Sequence, residues 1–161
     1  MSLRNWKGCC KSNSGRKSWS WAATFFLLSS GGCSIFLAAL TKNIFDVEGY
    51  FPPDHGLFVD VVFWAVLREN ALLLGTFYVI FRWGLPEEAS DFLLLSVVLV
   101  VATIFCLLHV IQSGLIAVIA FPVVLHICAA LFYFVRRHVI VSGFVISMMQ
   151  HSFHNLTVLL M

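Results

Sequence analysis

The chain has 161 residues, of which 60% are hydrophobic, 15% aromatic and 11% charged, with a formal net charge of +2 and a mean hydropathy of +0.94. Soluble domains carry about 25% charged residues, so this composition excludes a water-soluble globular enzyme, a disordered chain and a nucleic-acid-binding domain. What remains is an all-α integral membrane protein, a polytopic bundle whose solvent is the lipid bilayer; at about 20 residues per span, four helices with short loops nearly use up the chain.

Residues 1–19 form a basic flank: Arg4, Lys7, Lys11, Arg16 and Lys17 with no acid among residues 1–17. Such a segment beside an apolar span reads as cytosolic, able to touch anionic lipid. Cys9 and Cys10 lie in it and are candidates for S-palmitoylation, with two unmodified thiols as the plainer reading. Cys33, Cys106 and Cys128 fall in apolar runs, so the cysteines form no disulfide framework.

The first span is predicted over about residues 20–41. Its centre, Ser29-Ser30-Gly31-Gly32-Cys33-Ser34, is dense in small residues that let another helix approach closely; the alternative is a weak patch facing lipid. Residues 42–56 form a polar loop with Pro52-Pro53 and a single basic residue, Lys42. The second span is predicted over about 57–81 and ends at Arg82-Trp83. Pro86 and the following acids mark the start of the third span, about 92–111, since the positive end of a helix favours negative charge. Gln112-Ser113-Gly114 reads as a tight turn into a fourth span, about 115–135, which Pro122 is expected to kink. Arg136-Arg137-His138 closes it.

Orientation follows from the basic residues. With a cytosolic N-terminus, eight Lys and Arg lie inside (five in residues 1–17, then Arg82, Arg136 and Arg137) and one, Lys42, outside, as the positive-inside rule requires. Residues 139–161 are apolar at first, but Gln150, His151, His154 and Asn155 interrupt them. Polar groups are costly at depth, so this segment is predicted to be an interfacial or cytosolic tail, outside the four-helix domain of residues 20–138.

The second span carries the costly residues: Asp60, Arg68, Glu69 and Asn70. A charge at the bilayer centre costs about 2.5–3.5 kcal/mol and normally faces a partner. Asp60, Trp64 and Arg68 recur every four residues and form a stripe along one side. Asp60 and Arg68 are about 12 Å apart along the axis; an Arg leaning toward Asp60 over a Trp64 shelf would shorten that gap. Glu69, about 100° away, needs a different partner, either His109, His126 or another protein. For each histidine the alternative is a neutral ring bonded to backbone. His151 and His154, at i, i+3, are too few for a metal site, and no motif implies a metal, a cofactor or a catalytic residue.

Residues 60–75, from Asp60 through Trp64-Ala65, Arg68 and Leu72-Leu73-Leu74-Gly75, resemble the second helix of the N-terminal accessory domain of TAP-like lysosomal half-ABC transporters; Ile44-Phe45-Asp46 is also similar. The resemblance covers about thirty residues. It implies a four-helix bundle with a cytosolic N-terminus, a structural acid/Arg pair, an endolysosomal membrane and contacts with other membrane proteins. It carries over no ATP hydrolysis. Two functions compete. One is a non-enzymatic accessory, targeting or assembly module that binds another membrane protein or itself. The other is a small oligomeric channel or transporter subunit using Asp60, Arg68, Glu69 and His126.

Overall fold

The structure, a computed structural model, describes residues 13–45, 59–86, 89–113 and 116–160. The N-terminal flank up to residue 12 with Cys9 and Cys10, the Pro52-Pro53 loop, the Glu87-Glu88 pair and Gly114 lie outside the described residues. Among the described residues five helices form an all-helical bundle: α1 (Asn13–Phe45), α2 (Asp60–Gly84), α3 (Asp91–Ser113), α4 (Phe121–Arg136) and α5 (Ile140–Leu160). A single helical turn, Ile116–Ile119, precedes α4.

Local chemistry sets several helix ends. Ser90 caps α3, its Oγ accepting the Leu93 N–H at 3.3 Å, which satisfies a donor that has no intrahelical partner. Pro122 starts a helix here instead of kinking one. The chain breaks at Ala120 (φ −75°, ψ −9°), whose carbonyl takes the N–H groups of Val123 and Val124; proline has no N–H to continue the preceding turn. Gln112 and Ser113, expected in a turn, are the last residues of α3.

α4 ends in a Schellman motif. Val139 N–H reaches the Phe134 carbonyl at 2.9 Å and His138 N–H the Val135 carbonyl at 3.0 Å. His138 stands at φ 59°, the left-handed position glycine usually takes. The sharp reversal lays α5 against α4.

α4 is the central helix and packs on α1, α2, α3 and α5. Its Val123, Ile127, Cys128, Leu131 and Phe132 are buried with Leu73 and Phe77 of α2 and Val98, Ala102 and Phe105 of α3. Phe77 meets Phe132 edge-on, ring centroids 5.6 Å apart. The outer surface is apolar almost throughout, with Trp21, Phe25, Phe92, Leu107, Ile111 and Val141 exposed. Apolar exposure on this scale does not occur on soluble monomers. Three helices are long and apolar enough to cross a membrane: Ser20–Asn43, Asp60–Gly84 and Asp91–Ile111. Chain and surface together indicate an integral membrane protein.

The largest departure from the sequence expectation is the C-terminal segment. Residues 140–160 are not a peripheral tail but a 21-residue helix packed on α1, α2 and α4. The polar side chains that argued against burial are what attach it.

Candidate functional site

α2 is α-helical at its centre and π-helical at both ends, Asp60–Trp64 and Ile80–Gly84. Within the first π-helical turn, the carbonyls of Val61 and Val62 accept hydrogen bonds from α5. Asn155 Nδ2 donates to Val61 O and Ser152 Oγ to Val62 O, both at 2.9 Å. On the opposite side of α5, Gln150 Nε2 donates to the Phe26 carbonyl of α1 at 2.9 Å. Three polar side chains of α5 are thereby bonded to the backbones of two neighbours.

One helical turn further along α2 lies the ionisable cluster. Glu69 Oε2 stands 3.4 Å from His109 Nε2 of α3 and 3.4 Å from His151 Nε2 of α5. Asn70, fully buried beside it, donates from Nδ2 to the Val66 carbonyl at 2.8 Å and to His151 Nδ1 at 3.1 Å. His109 Nδ1 lies 3.0 Å from the Phe105 carbonyl of its own helix. Among the described residues, four buried polar atoms have no protein partner: Ser34 Oγ, Asn70 Oδ1, Gln150 Oε1 and His154 Nδ1. They belong to α1, α2 and α5, so the polar interior lies among these helices.

Of the two histidines expected as partners for Glu69, His109 meets it. His126 does not; its Nδ1 is 2.7 Å from the Pro122 carbonyl, the backbone-bonded alternative. His151, in the segment expected as a tail, is a second partner that the sequence does not single out. The signal for it was present: Gly143, Ser147, Gln150, His151 and His154 recur at three- and four-residue spacing, a small and polar stripe at helical period.

The structure does not pair Asp60 with Arg68. Both are exposed, and the ion pairs among the described residues are Glu69 with the two histidines and Asp91 with Arg136. Two helical turns are too long for the side chains to bridge. Arg68 instead donates from Nε to the Trp64 carbonyl at 3.3 Å. Trp64 is 49% exposed and stacks edge-on with Phe63; the cation–π contact in the described residues is Arg137 over Tyr133.

The small residues of α1 divide by face. Ser30 and Ser34 are buried, Gly31 is in contact range of Phe153 from α5, Ser29 bonds its own Phe26 carbonyl, and Gly32 faces open space. The closest helix approach lies elsewhere, at Gly143, where an added Cβ would fall 2.5 Å from Phe134 Cβ.

Comparison with protein-family models, characterised proteins and solved structures finds no match. The class defined here is an all-helical membrane bundle with an internal Glu–His–His cluster.

Proposed function

We propose that this chain is a non-enzymatic multi-pass membrane protein that serves as an accessory or assembly module, binding another membrane protein through the outer face of α2. One observation carries the reading. Arg68, eight residues into a 25-residue span, lies exposed on the outside of the bundle, bonded within the described residues to its own Trp64 carbonyl and to no acid. A guanidinium at that depth is costly without a counter-charge in contact, and Glu69, which acts on Arg68 only at a distance, is turned to His109 and His151. The same face offers Ala71 and Gly75, both exposed at four-residue spacing, the small-residue pattern that admits a second helix. Beside them runs an apolar groove of about 370 Å³, lined by Ala71, Gly75 and Tyr78 of α2 and by Ile140 and Phe144 of α5.

The partner's chemistry follows: a transmembrane helix with an Asp or Glu at the depth of Arg68. A two-fold dimer through this face would set Arg68 against Arg68, because copies inserted the same way share one depth. A different protein therefore fits better than a second copy. The resemblance of residues 60–75 makes an endolysosomal membrane the first place to look.

For topology we propose a cytosolic N-terminus, the four crossings read from the sequence, and α5 as a fifth. Arg82, Arg136 and Arg137 then remain on the cytosolic side.

Crosslinking and pull-down from native membranes tests the function. A defined membrane partner is expected with wild type and lost, about tenfold or more, with Arg68→Ala at equal protein level. Recovery of the partner undiminished by Arg68→Ala counts against this face. The channel or transporter alternative draws on the same residues, but Asp60 and Arg68 face outward and His126 is held by its own helix. Flux in reconstituted liposomes that Glu69→Gln abolishes would favour it.

A further inference from the structure

The hydrogen-bond donors around Glu69 can be counted. The Phe105 carbonyl only accepts, so His109 Nδ1 carries the hydrogen, and a neutral His109 ring then presents a bare lone pair at Nε2. The Val66 carbonyl fixes Asn70 Nδ2 as a donor. His151 Nδ1 therefore accepts from Asn70, and its Nε2–H points to Glu69. An ionised Glu69 is thus matched on the His151 side. On the His109 side it would face a lone pair at 3.4 Å, two acceptors with no hydrogen between them.

The structure assigns one shared proton to Glu69 and His109, which makes the pair a proton-binding site inside the bundle. The proton sits either on the carboxyl, donating to His109 Nε2, or on the ring, donating to Glu69 Oε2; transfer between the two moves no net charge. In both forms the Glu69–His109–His151 cluster is neutral, the state a low-dielectric interior favours. The groups facing the pair are Arg68 on its own helix, His151 on α5, and His154 beyond His151. Arg68 is exposed and turned to the outer face, so it does not replace the missing hydrogen.

The Glu69 and His109 side chains keep 27% and 30% of their surface accessible, and α2 and α3 are not closely packed partners. The proton therefore ties α3 to α2 where backbone packing does not. Its loss leaves an anion against a lone pair and loosens α3.

The test uses the full chain, ¹⁵N-labelled at histidine, in lipid nanodiscs. At neutral pH the His109 Nε2 resonance is expected in its protonated or strongly hydrogen-bonded position, and it should move to the bare position in Glu69→Ala. Relative to Glu69→Ala, wild-type thermal stability should fall as pH rises from about 5 to about 8, across the range where histidine titrates. Glu69→Ala has no carboxylate to share the proton but keeps His151 and His154, so the difference between the two curves isolates the shared proton. A bare His109 Nε2 beside an ionised Glu69 at neutral pH overturns the assignment. So does a wild-type curve that runs parallel to that of Glu69→Ala over this range, or a stoichiometric metal ion on the three side chains, which would take the proton's place.

Discussion

α4 and α5 lie side by side after one turn, yet different forces hold them. α4 is apolar on every face it buries. Its neighbours interlock with Val123, Ile127, Leu131 and Phe132, and close packing is the main part of its attachment. α5 brings Gln150, His151, Ser152 and Asn155, and each reaches a group on α1 or α2. In lipid the hydrophobic effect gives helices little reason to associate, so shape and hydrogen bonds decide. α4 uses the first and α5 mainly the second, except where the two helices touch.

That contact gives the largest expected effect. Gly143 meets Phe134 so closely that a methyl group at residue 143 would overlap Phe134 Cβ at 2.5 Å. Gly143→Ala should cost about 1–3 kcal/mol, the usual range for overpacking, read as a lower melting temperature in mild detergent. The clash is with Cβ, which alanine retains, so adding Phe134→Ala should not relieve it. Rescue by the double variant would mean that the ring, not the backbone approach, sets the α4–α5 distance.

A smaller effect is expected where α5 is attached by hydrogen bonds alone. Asn155→Leu and Ser152→Ala each remove one donor to the π-helical turn of α2. Interhelical hydrogen bonds in membranes average about 0.6 kcal/mol and reach about 1.7, so each variant should lose about 1 kcal/mol or less. The double variant should also straighten the turn at Asp60–Trp64, measured as a changed amide exchange rate at Val66. No change in exchange would show that the π-helical turn is intrinsic to α2 and merely used by α5.

These cases show what could be read from residues in order. Helix existence and several ends were legible because their causes are local: apolar runs of span length, Pro86 and the acids before α3, and the basic close at Arg136-Arg137; Pro122, expected to kink a helix, starts one instead. The choice of a polar partner was not, since Glu69 meets His151 across 82 positions of chain. The fate of α5 depended on the same kind of information. Read alone, Gln150, His151 and Asn155 are a penalty at depth; read with a helix whose π-helical turn accepts donors, they are the attachment. Asp60 and Arg68 show the converse error. Spacing of four and eight placed them on one stripe, but a shared stripe on a surface helix says nothing about which way it faces.

The smallest effect belongs to the remaining ion pair, which connects the start of α3 to the end of α4. Arg136 Nη1 stands 3.8 Å from Asp91 Oδ1, with side chains 44% and 101% exposed. In water such a pair is screened, and holding two mobile side chains together offsets the attraction. Asp91→Asn should therefore leave the melting temperature unchanged at physiological salt. Unlike the Glu69 cluster, this pair lies at the helix ends, next to Arg137 and its Tyr133 ring. A measurable drop in Asp91→Asn, shrinking as salt is raised, would place Asp91 in the headgroup layer instead of free water. The α3 start would then sit deeper than its flanking residues suggest, and His109, 18 residues further along the same helix, would move with it relative to the membrane.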